Sequence, residues 1–219
     1  MNTIIKEHIK TGAPVGSIVL VEKYKLNISP ATARNEMAEL EEEGFIIQPH
    51  TSAGRIPTEK SYIWHVGQIK EKKGGEKERS IFEKILKDKS ELSFKQAAKV
   101  LAKFSGEAVF WAFHKNNLYY TGISNLFSQP EFAQTNLIYD ISSVIDRVDE
   151  IIDNIFGDAK MGTEILIGSN NPFGNFCGTI LTKYKFDGKT GLFGILGPMR
   201  MDYERNLSLV KSISDKLSR

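Results

Sequence analysis

The chain has little cysteine, no long apolar run and almost no excess of charge. It has one cysteine among 219 residues, so no internal disulfide can form, which agrees with a reducing compartment. The apolar runs are too short to span a bilayer, and the first eight residues carry charges where a signal peptide is apolar. We therefore expect a soluble, cytoplasmic protein with no membrane partner.

Side chains that support catalysis or bind metals are also scarce. There is no Gly-rich phosphate loop, and no two histidines stand four residues apart. Cys177 lies in an apolar stretch, which is typical of a small buried hydrophobe. One group of carboxylates alternates with an apolar helical face and is interpreted as its solvated side: Asp146, Asp149, Glu150 and Asp153. The sequence predicts no enzyme, no cofactor and no metal site.

Charge does not by itself indicate a nucleic-acid partner. The net charge is +2, and residues 1–66 hold seven Lys/Arg against eight Asp/Glu. A stretch of mostly charged residues and glycines, 67–80, contains Gly74-Gly75 and is predicted to be a linker. It separates a compact N-terminal unit, 1–66, from a larger C-terminal unit, 81–219. Only local placement of side chains can therefore support DNA binding.

The N-terminal unit is predicted to contain helices and a short hairpin. Apolar spacing indicates a helix over 2–11, and Ser17 is expected to cap a second. Ser29-Pro30 predicts the start of a third helix, 30–43, which ends at Gly44. A short strand, 45–47, and a polar loop follow, and Thr58 is expected to cap a helix over 59–69.

In the C-terminal unit, segments with the apolar spacing of helices alternate with segments typical of strands. Helices are predicted over 79–88, 92–104 (with Ser93 and Gln96 as a capping box), 141–156 and 201–217. Strands are predicted over 109–113, 118–121, 163–168, 176–186 and 190–196. This order favours an α+β domain with a mainly antiparallel sheet.

Helix 30–43 has one face suited to the major groove of DNA. Ala33, Met37 and Leu40 share the opposite, packing face. The exposed face is small at two alanines, so the backbone can approach bases, and arginine and asparagine can read guanine and adenine. Its residues are Ala31, Thr32, Arg34, Asn35 and Ala38. The alternative is an ordinary amphipathic helix, which the glutamates at 36, 39 and 41–43 would fit.

The loop after the short strand favours DNA binding over that alternative. It carries donors for phosphate and is restricted by two prolines, as expected of a wing. The other interpretation is a surface hairpin without a partner. The loop reads Gln48-Pro49-His50-Thr51-Ser52-Ala53-Gly54-Arg55-Ile56-Pro57.

These segments resemble the heat-inducible transcription repressor family, HrcA. The resemblance covers Leu26-Asn27-Ile28-Ser29-Pro30-Ala31-Thr32-Ala33-Arg34-Asn35-Glu36-Met37, Leu40-Glu41, Gly44-Phe45 and 48–58. Further blocks of family type lie at 120–132, at Ile167-Gly168 with Asn171-Pro172, and at 194–203. The resemblance implies a winged helix-turn-helix joined to a GAF-like domain. It also implies a homodimeric repressor of chaperone genes that binds an inverted repeat called CIRCE in double-stranded DNA and is kept active by a chaperonin.

Two departures from the family pattern are visible. Only 113–120 lies where members carry an inserted dimerising domain, so this insertion is expected to be absent or nearly so. Met199 stands where a small polar residue is expected, at a strand-to-helix junction. We expect structural rather than chemical consequences there.

Arg34 and Asn35 are the predicted base-reading residues. Phosphate or wing contacts are predicted for Ser29, Thr32, His50, Thr51, Ser52 and Arg55. One rival function is a regulator that senses a small molecule through a pocket lined by Trp111, Phe113, Tyr119 and Tyr120, although alternate strand positions favour a core role for these aromatics. A protein-interaction module without DNA binding would leave the wing pattern unexplained.

Overall fold

The chain divides into two units, Met1–Ile69 (unit 1) and Lys70–Arg219 (unit 2). The structure is a computed structural model that describes residues 1–70, 75–114, 117–133 and 135–217. Within these ranges, no helix is long and apolar enough to cross a membrane.

Unit 1 consists of helices and a two-stranded antiparallel ribbon. In chain order its elements are α1 Asn2–Thr11, α2 Ser17–Tyr24, α3 Pro30–Glu42, β1 Ile46–Ile47, β2 Ile56–Pro57 and α4 Glu59–Gly67. The ribbon pairs Ile46 with Pro57 and Ile47 with Ile56. The predicted order of helices and hairpin is confirmed, although α4 ends two residues earlier than expected.

The core of unit 1 explains why α3 has one apolar face. Ala33 and Met37 are buried, and Leu40 packs against the same core. The buried cluster joins α1, α2, α3 and β1 through Ile4, Val15, Leu20, Met37 and Ile46. Removing these side chains from water is the main term that holds the short helices together.

An ion pair between buried Glu7 and the partly exposed Lys23 also ties α1 to α2. The Glu7 carboxylate accepts hydrogen bonds from Lys23 Nζ at 2.6 Å and from the Tyr24 hydroxyl at 2.8 Å. The bond from Lys23 is the largest influence that lowers the pKa of Glu7. The partners supply the compensation that a buried carboxylate requires.

The helix caps differ in part from the sequence predictions. Ser29 caps α3 as predicted, and Gly44 follows that helix with φ +75°. Gly16, not Ser17, precedes α2. In unit 2, the helix Glu91–Ser105 is capped by Ser90, not Ser93, and the Ser90 hydroxyl accepts from the Ser93 amide. Ser93 with Gln96 matches the capping-box pattern, whereas Ser90 is followed three residues later by Ser93, so the pattern favoured the wrong serine.

Unit 2 is an α+β domain around one five-stranded sheet. Its helices are α5 Glu76–Ile85, α6 Glu91–Ser105, α7 Ile123–Phe127, α8 Thr135–Asp146, α9 Val148–Asp158 and α10 Tyr203–Leu217. Its strands are β3 Ala108–His114, β4 Asn117–Thr121, β5 Gly162–Ile167, β6 Cys177–Phe186 and β7 Lys189–Pro198. The strand order is β4-β3-β7-β6-β5, and every neighbouring pair is antiparallel. The predicted α+β class with a mainly antiparallel sheet is confirmed.

Helices cover both faces of this sheet. α6 and α10 pack on one face. On the other face, apolar residues of α8 and α9 join the core formed by Phe110, Leu181 and Cys177. Cys177 is fully buried as predicted, and burial raises the pKa of its thiol.

The helix predicted over 141–156 is two helices. α8 ends at Asp146 and α9 begins at Val148, with Arg147 at φ −110° and ψ 14° between them. Eight apolar residues at helical spacing in this range nevertheless belong to the same core cluster: Ile141, Val144, Ile145, Val148, Ile151, Ile152, Ile155 and Phe156. A straight helix of that length would extend roughly 24 Å. The break lets both segments keep their apolar faces on the sheet.

The region predicted as a linker, 67–80, is partly helical. α5 begins at Glu76, so its first turn lies inside the predicted linker. Residues 71–74 lie outside the described residues. Gly75 precedes the helix, in agreement with the predicted break at the glycine pair.

Candidate nucleic-acid interface

The exposed face of α3 has the composition that the sequence predicted. Ala31, Thr32, Arg34, Asn35 and Ala38 are exposed. At the start of the helix, the Ser29 hydroxyl accepts from the Thr32 amide at 3.0 Å and lies 2.9 Å from the Thr32 hydroxyl. Ser29 therefore fixes the end of the helix that presents this polar face.

Residues 48–55, here called the polar loop, connect β1 to β2. Its tip, formed by His50, Thr51 and Ser52, is exposed. The Ala53 amide donates to the His50 carbonyl at 2.8 Å, which closes a turn, and Ser52 Oγ lies 3.3 Å from His50 Nδ1. The tip thus presents imidazole and hydroxyl groups on a closed turn.

One cleft brings part of the predicted set together. It has a volume of about 420 Å³ and lies between the start of α2, α3 and the polar loop. Four of the predicted residues line it: Arg34, Thr51, Ser52 and Arg55. Ser29, Thr32, Asn35 and His50 are not among its lining residues. The predicted residues therefore form an extended surface rather than one pocket.

Arg55, which the sequence predicts to contact phosphate, is paired within unit 1. Its side chain is only 16% exposed, and its Nε donates to Glu41 Oε2 at 2.7 Å. Its backbone amide and carbonyl both bond to Val15, at 2.9 and 2.8 Å. Arg55 thus anchors the loop within unit 1.

Two residues that organise the loop were missed by the sequence analysis. Glu41, one of the glutamates that fit the alternative of an ordinary amphipathic helix, accepts from the Gln48 amide as well as from Arg55. The Gln48 side chain donates to the carbonyls of Thr51 and Ala53, at 3.0 and 2.9 Å. Glu41 meets Gln48 and Arg55 only after the chain has turned back, so no local sequence pattern indicates these contacts.

The aromatics of the rival small-molecule interpretation do not all lie on one face of the sheet. Trp111 is fully buried, and its Nε1 donates to the Tyr184 hydroxyl at 2.7 Å, so the predicted core role is confirmed for Trp111. For Tyr120 the predicted core role is wrong, because this side chain is 44% exposed. Trp111 lies opposite Tyr119 in the sheet, while Tyr120 lies opposite Phe110 and therefore on the other face. Phe113 borders a cavity of about 230 Å³ that Tyr184 also lines.

The sequence blocks in unit 2 make structural contacts. Arg200 Nη2 donates to Gln129 Oε1 at 2.8 Å and to Glu131 Oε2 at 3.0 Å, which joins the blocks 194–203 and 120–132. Buried Asn171 bonds to Leu166 and Thr179 and so orders the turn that precedes β6. Beside Arg200, the Met199 carbonyl accepts from Tyr203. These hydrogen bonds join the strands of the sheet to the segments that connect them.

Comparison with known proteins identifies a family of transcription repressors. Residues 67–207 match the profile of the family described as HrcA protein C terminal domain. The chain is 27% identical to the heat-inducible transcription repressor HrcA of Carboxydothermus hydrogenoformans, over 98% of this chain and 94% of the relative. It is 54% identical to HrcA of Kineococcus radiotolerans over 69 residues, 32% of this chain and 20% of the relative. These relatives are transcription repressors. The chain belongs to the HrcA family.

The longer relatives contain residues that this chain lacks. The alignment with the Carboxydothermus repressor runs over 322 positions, of which a chain of 219 residues fills at most about two thirds. The fold has a solved counterpart, a crystal structure of a hypothetical protein, with a TM-score of 0.73 and 18% identity. It covers 99% of this chain and 93% of the other.

Proposed function

We propose that this protein represses transcription of heat-shock genes by binding an inverted-repeat operator in double-stranded DNA. Its family membership supports repression, and the exposed face of α3 supports the mode of binding. In this proposal unit 1 is a winged helix-turn-helix, α3 enters the major groove and the polar loop is the wing. The proposed DNA-binding domain spans 1–66, and the proposed GAF-like regulatory and dimerisation domain spans 81–219. The segment 67–80 between them contains the start of α5.

The observation that carries the proposal is the contrast between the two faces of α3. One face is buried in the core by Ala33 and Met37, and the other is exposed and polar. Small residues at Ala31 and Ala38 let the helix backbone approach base edges, while Arg34 and Asn35 supply paired donors and acceptors. The tip of the polar loop and the Ser29–Thr32 end of α3 then contact phosphates.

Dimerisation and control by a chaperonin complete the proposal. Two copies would occupy the two halves of the repeat, in the cytoplasm, where bacterial DNA lies. A chaperonin would keep the repressor competent, so that unfolded protein, by occupying the chaperonin, relieves repression. Adding purified chaperonin should raise the fraction of repressor that binds the operator, which an active-site titration with operator DNA measures.

In vitro transcription tests the proposal directly. The template carries the CIRCE-type repeat across its promoter, and the control template has the repeat scrambled. We expect the wild-type chain to reduce transcription only from the first template. The double variant Arg34→Ala/Asn35→Ala should lose repression, while Lys6→Ala, which removes an exposed cation from α1, should keep it. Equal transcription from both templates with wild-type protein would reject the proposal.

A further inference from the structure

Glu41 joins both ends of the polar loop to α3. Its Oε1 accepts from the Gln48 amide, the first residue of the loop, at 2.9 Å. Its Oε2 accepts from Arg55 Nε, the last residue of the loop, at 2.7 Å. One carboxylate therefore holds the start and the end of an eight-residue segment on the helix proposed to read bases.

The position of Glu41 is unfavourable unless its charge is compensated. Glu41 lies in the last turn of α3, where the helix dipole disfavours a negative charge. It is also close to a surface that we propose binds phosphates, which would repel it. Arg55 compensates the charge, and the side chain of the paired arginine is only 16% exposed.

The rest of the loop is held in two further ways. The Gln48 side chain bonds to Thr51 and Ala53, so the loop is closed internally. At Gly54 a Cβ would lie 2.5 Å from the Val15 carbonyl atoms, and Arg55 pairs with Val15 through its backbone. The Val15 contacts fix the loop beside α2, whereas Glu41 fixes it to α3 through both loop ends.

We infer that Glu41 is a positioning residue that sets the polar loop against α3, and that Arg55 acts through Glu41 rather than as a phosphate ligand. This inference rests on the proposed function. Base contacts from α3 and phosphate contacts from the loop form together only when their spacing matches that of the DNA. Loosening the loop should therefore reduce preference for the operator more than it reduces general affinity for DNA.

The test uses the full chain and duplexes with the CIRCE-type repeat or a scrambled sequence of equal length. The variants are Glu41→Ala, Arg55→Gln, the double variant and Arg55→Lys. Glu42→Ala is the matched control, because it removes the same charge from the exposed neighbouring residue of the same helix. Alanine is compatible with a helix, and circular dichroism verifies that the helices are retained. Amide hydrogen exchange of Gln48 is measured without DNA.

The inference predicts a specific set of results. Glu41→Ala and Arg55→Gln should each weaken operator binding about five- to tenfold, and the double variant should be no weaker than either single variant. Binding to the scrambled duplex and the salt dependence should not change for Arg55→Gln. Arg55→Lys should restore most of the loss. The Gln48 amide should exchange faster in Glu41→Ala but not in Glu42→Ala.

Other results would overturn the inference. If Arg55→Gln weakened both duplexes equally and reduced the salt slope by about one, Arg55 would be a phosphate ligand. If Glu41→Ala behaved like Glu42→Ala in every assay, Glu41 would be an ordinary surface charge. If wild-type protein failed to prefer the operator, the proposed function would fall, whereas unchanged Gln48 exchange in Glu41→Ala would overturn the anchoring by itself.

Discussion

At the residue scale, Arg34 is a predicted base-reading residue that is exposed on α3. It lies on the polar face of α3 and also lines the cleft beside the polar loop. An arginine that forms a bidentate contact with guanine contributes to specific binding, because wrong bases lack the paired acceptors. Its contribution to non-specific binding would be that of one surface cation.

Replacing Arg34 separates these two contributions. We expect Arg34→Ala to weaken binding to the operator by about 1–3 kcal/mol and to leave binding to a scrambled duplex nearly intact. Competition titrations at one salt concentration measure both affinities. An equal loss on both duplexes would make Arg34 a phosphate contact instead.

Glu107 introduces a pH dependence into unit 2. It is buried, and burial raises its pKa to about 8, while Arg200 lowers this pKa and Glu131 raises it. Gln129 also lies in this cluster, bonded to Arg200, and the Glu107 carbonyl accepts from Asn125. The folded protein therefore holds a proton on Glu107 that the unfolded chain releases near its ordinary pKa.

The sign of the effect on stability follows from this difference. Between about pH 4.5 and pH 8 the folded state binds more protons than the unfolded state, so the free energy of unfolding falls as the pH rises. We expect Glu107→Gln to flatten this decline, as measured by urea unfolding at pH 6 and pH 9. The exposed control Asp149→Asn should retain it. An unchanged decline in Glu107→Gln would show that another group is responsible.

The sequence predicts the role of a residue where the spacing of apolar residues determines whether its side chain is buried or exposed. The exposed and buried residues of α3 follow from apolar spacing, and Trp111 is buried as its strand position predicts. The roles of Glu41 and Arg55 depend on a contact between residues 14 positions apart. That contact exists only after β1 and β2 pair, so composition and spacing contain no sign of it.

At the element scale, α3 has a well-defined beginning. Ser29 accepts from the Thr32 amide, and Pro30 occupies the first helical position, where its missing N–H is not required. This arrangement also places the polar face at the start of the helix. The sequence predicted this helix closely because these signals are local.

Removing the cap should destabilise unit 1 by a measurable amount. We expect Ser29→Ala to reduce the free energy of unfolding by about 1 kcal/mol, and Ser29→Asp, which keeps an acceptor, to restore most of it. Trp64 lies in α4, so its fluorescence in a Trp111→Phe background reports on unit 1. Equal stability of the alanine and parent proteins would contradict the capping role.

Elements were less predictable where their ends depend on packing. α8 and α9 were predicted as one helix because their apolar positions continue across Arg147 without interruption. The Thr58 hydroxyl, predicted as a cap, donates instead to the carbonyls of Gly44 and Phe45. Both outcomes reflect tertiary contacts that compete with local signals.

At the scale of the whole molecule, the chain is shorter than the family members, although almost all of it aligns with them. The sequence predicts that the missing part is the inserted dimerising domain. If two copies still bind one operator, their two α3 helices must enter major grooves on one face of the DNA. The spacing of the half-sites therefore reports on the assembly.

Changing that spacing gives a further prediction. Inserting about five base pairs between the half-sites turns them to opposite faces and should reduce binding to that of a single half-site. Inserting about ten should restore part of the affinity, because one full turn brings the faces back together. Hydroxyl-radical footprinting on the three duplexes measures the effect. Indifference to spacing would mean that each copy binds alone.

Fluorescence anisotropy tests the central claim most directly. The purified chain is titrated onto a labelled duplex with the inverted repeat and onto a scrambled duplex, at several salt concentrations. We predict tighter binding to the repeat, a stoichiometry of two chains per duplex and an affinity that falls steeply with salt. Equal and weak binding to both duplexes would contradict the account of α3 and the polar loop as a specific DNA-reading surface.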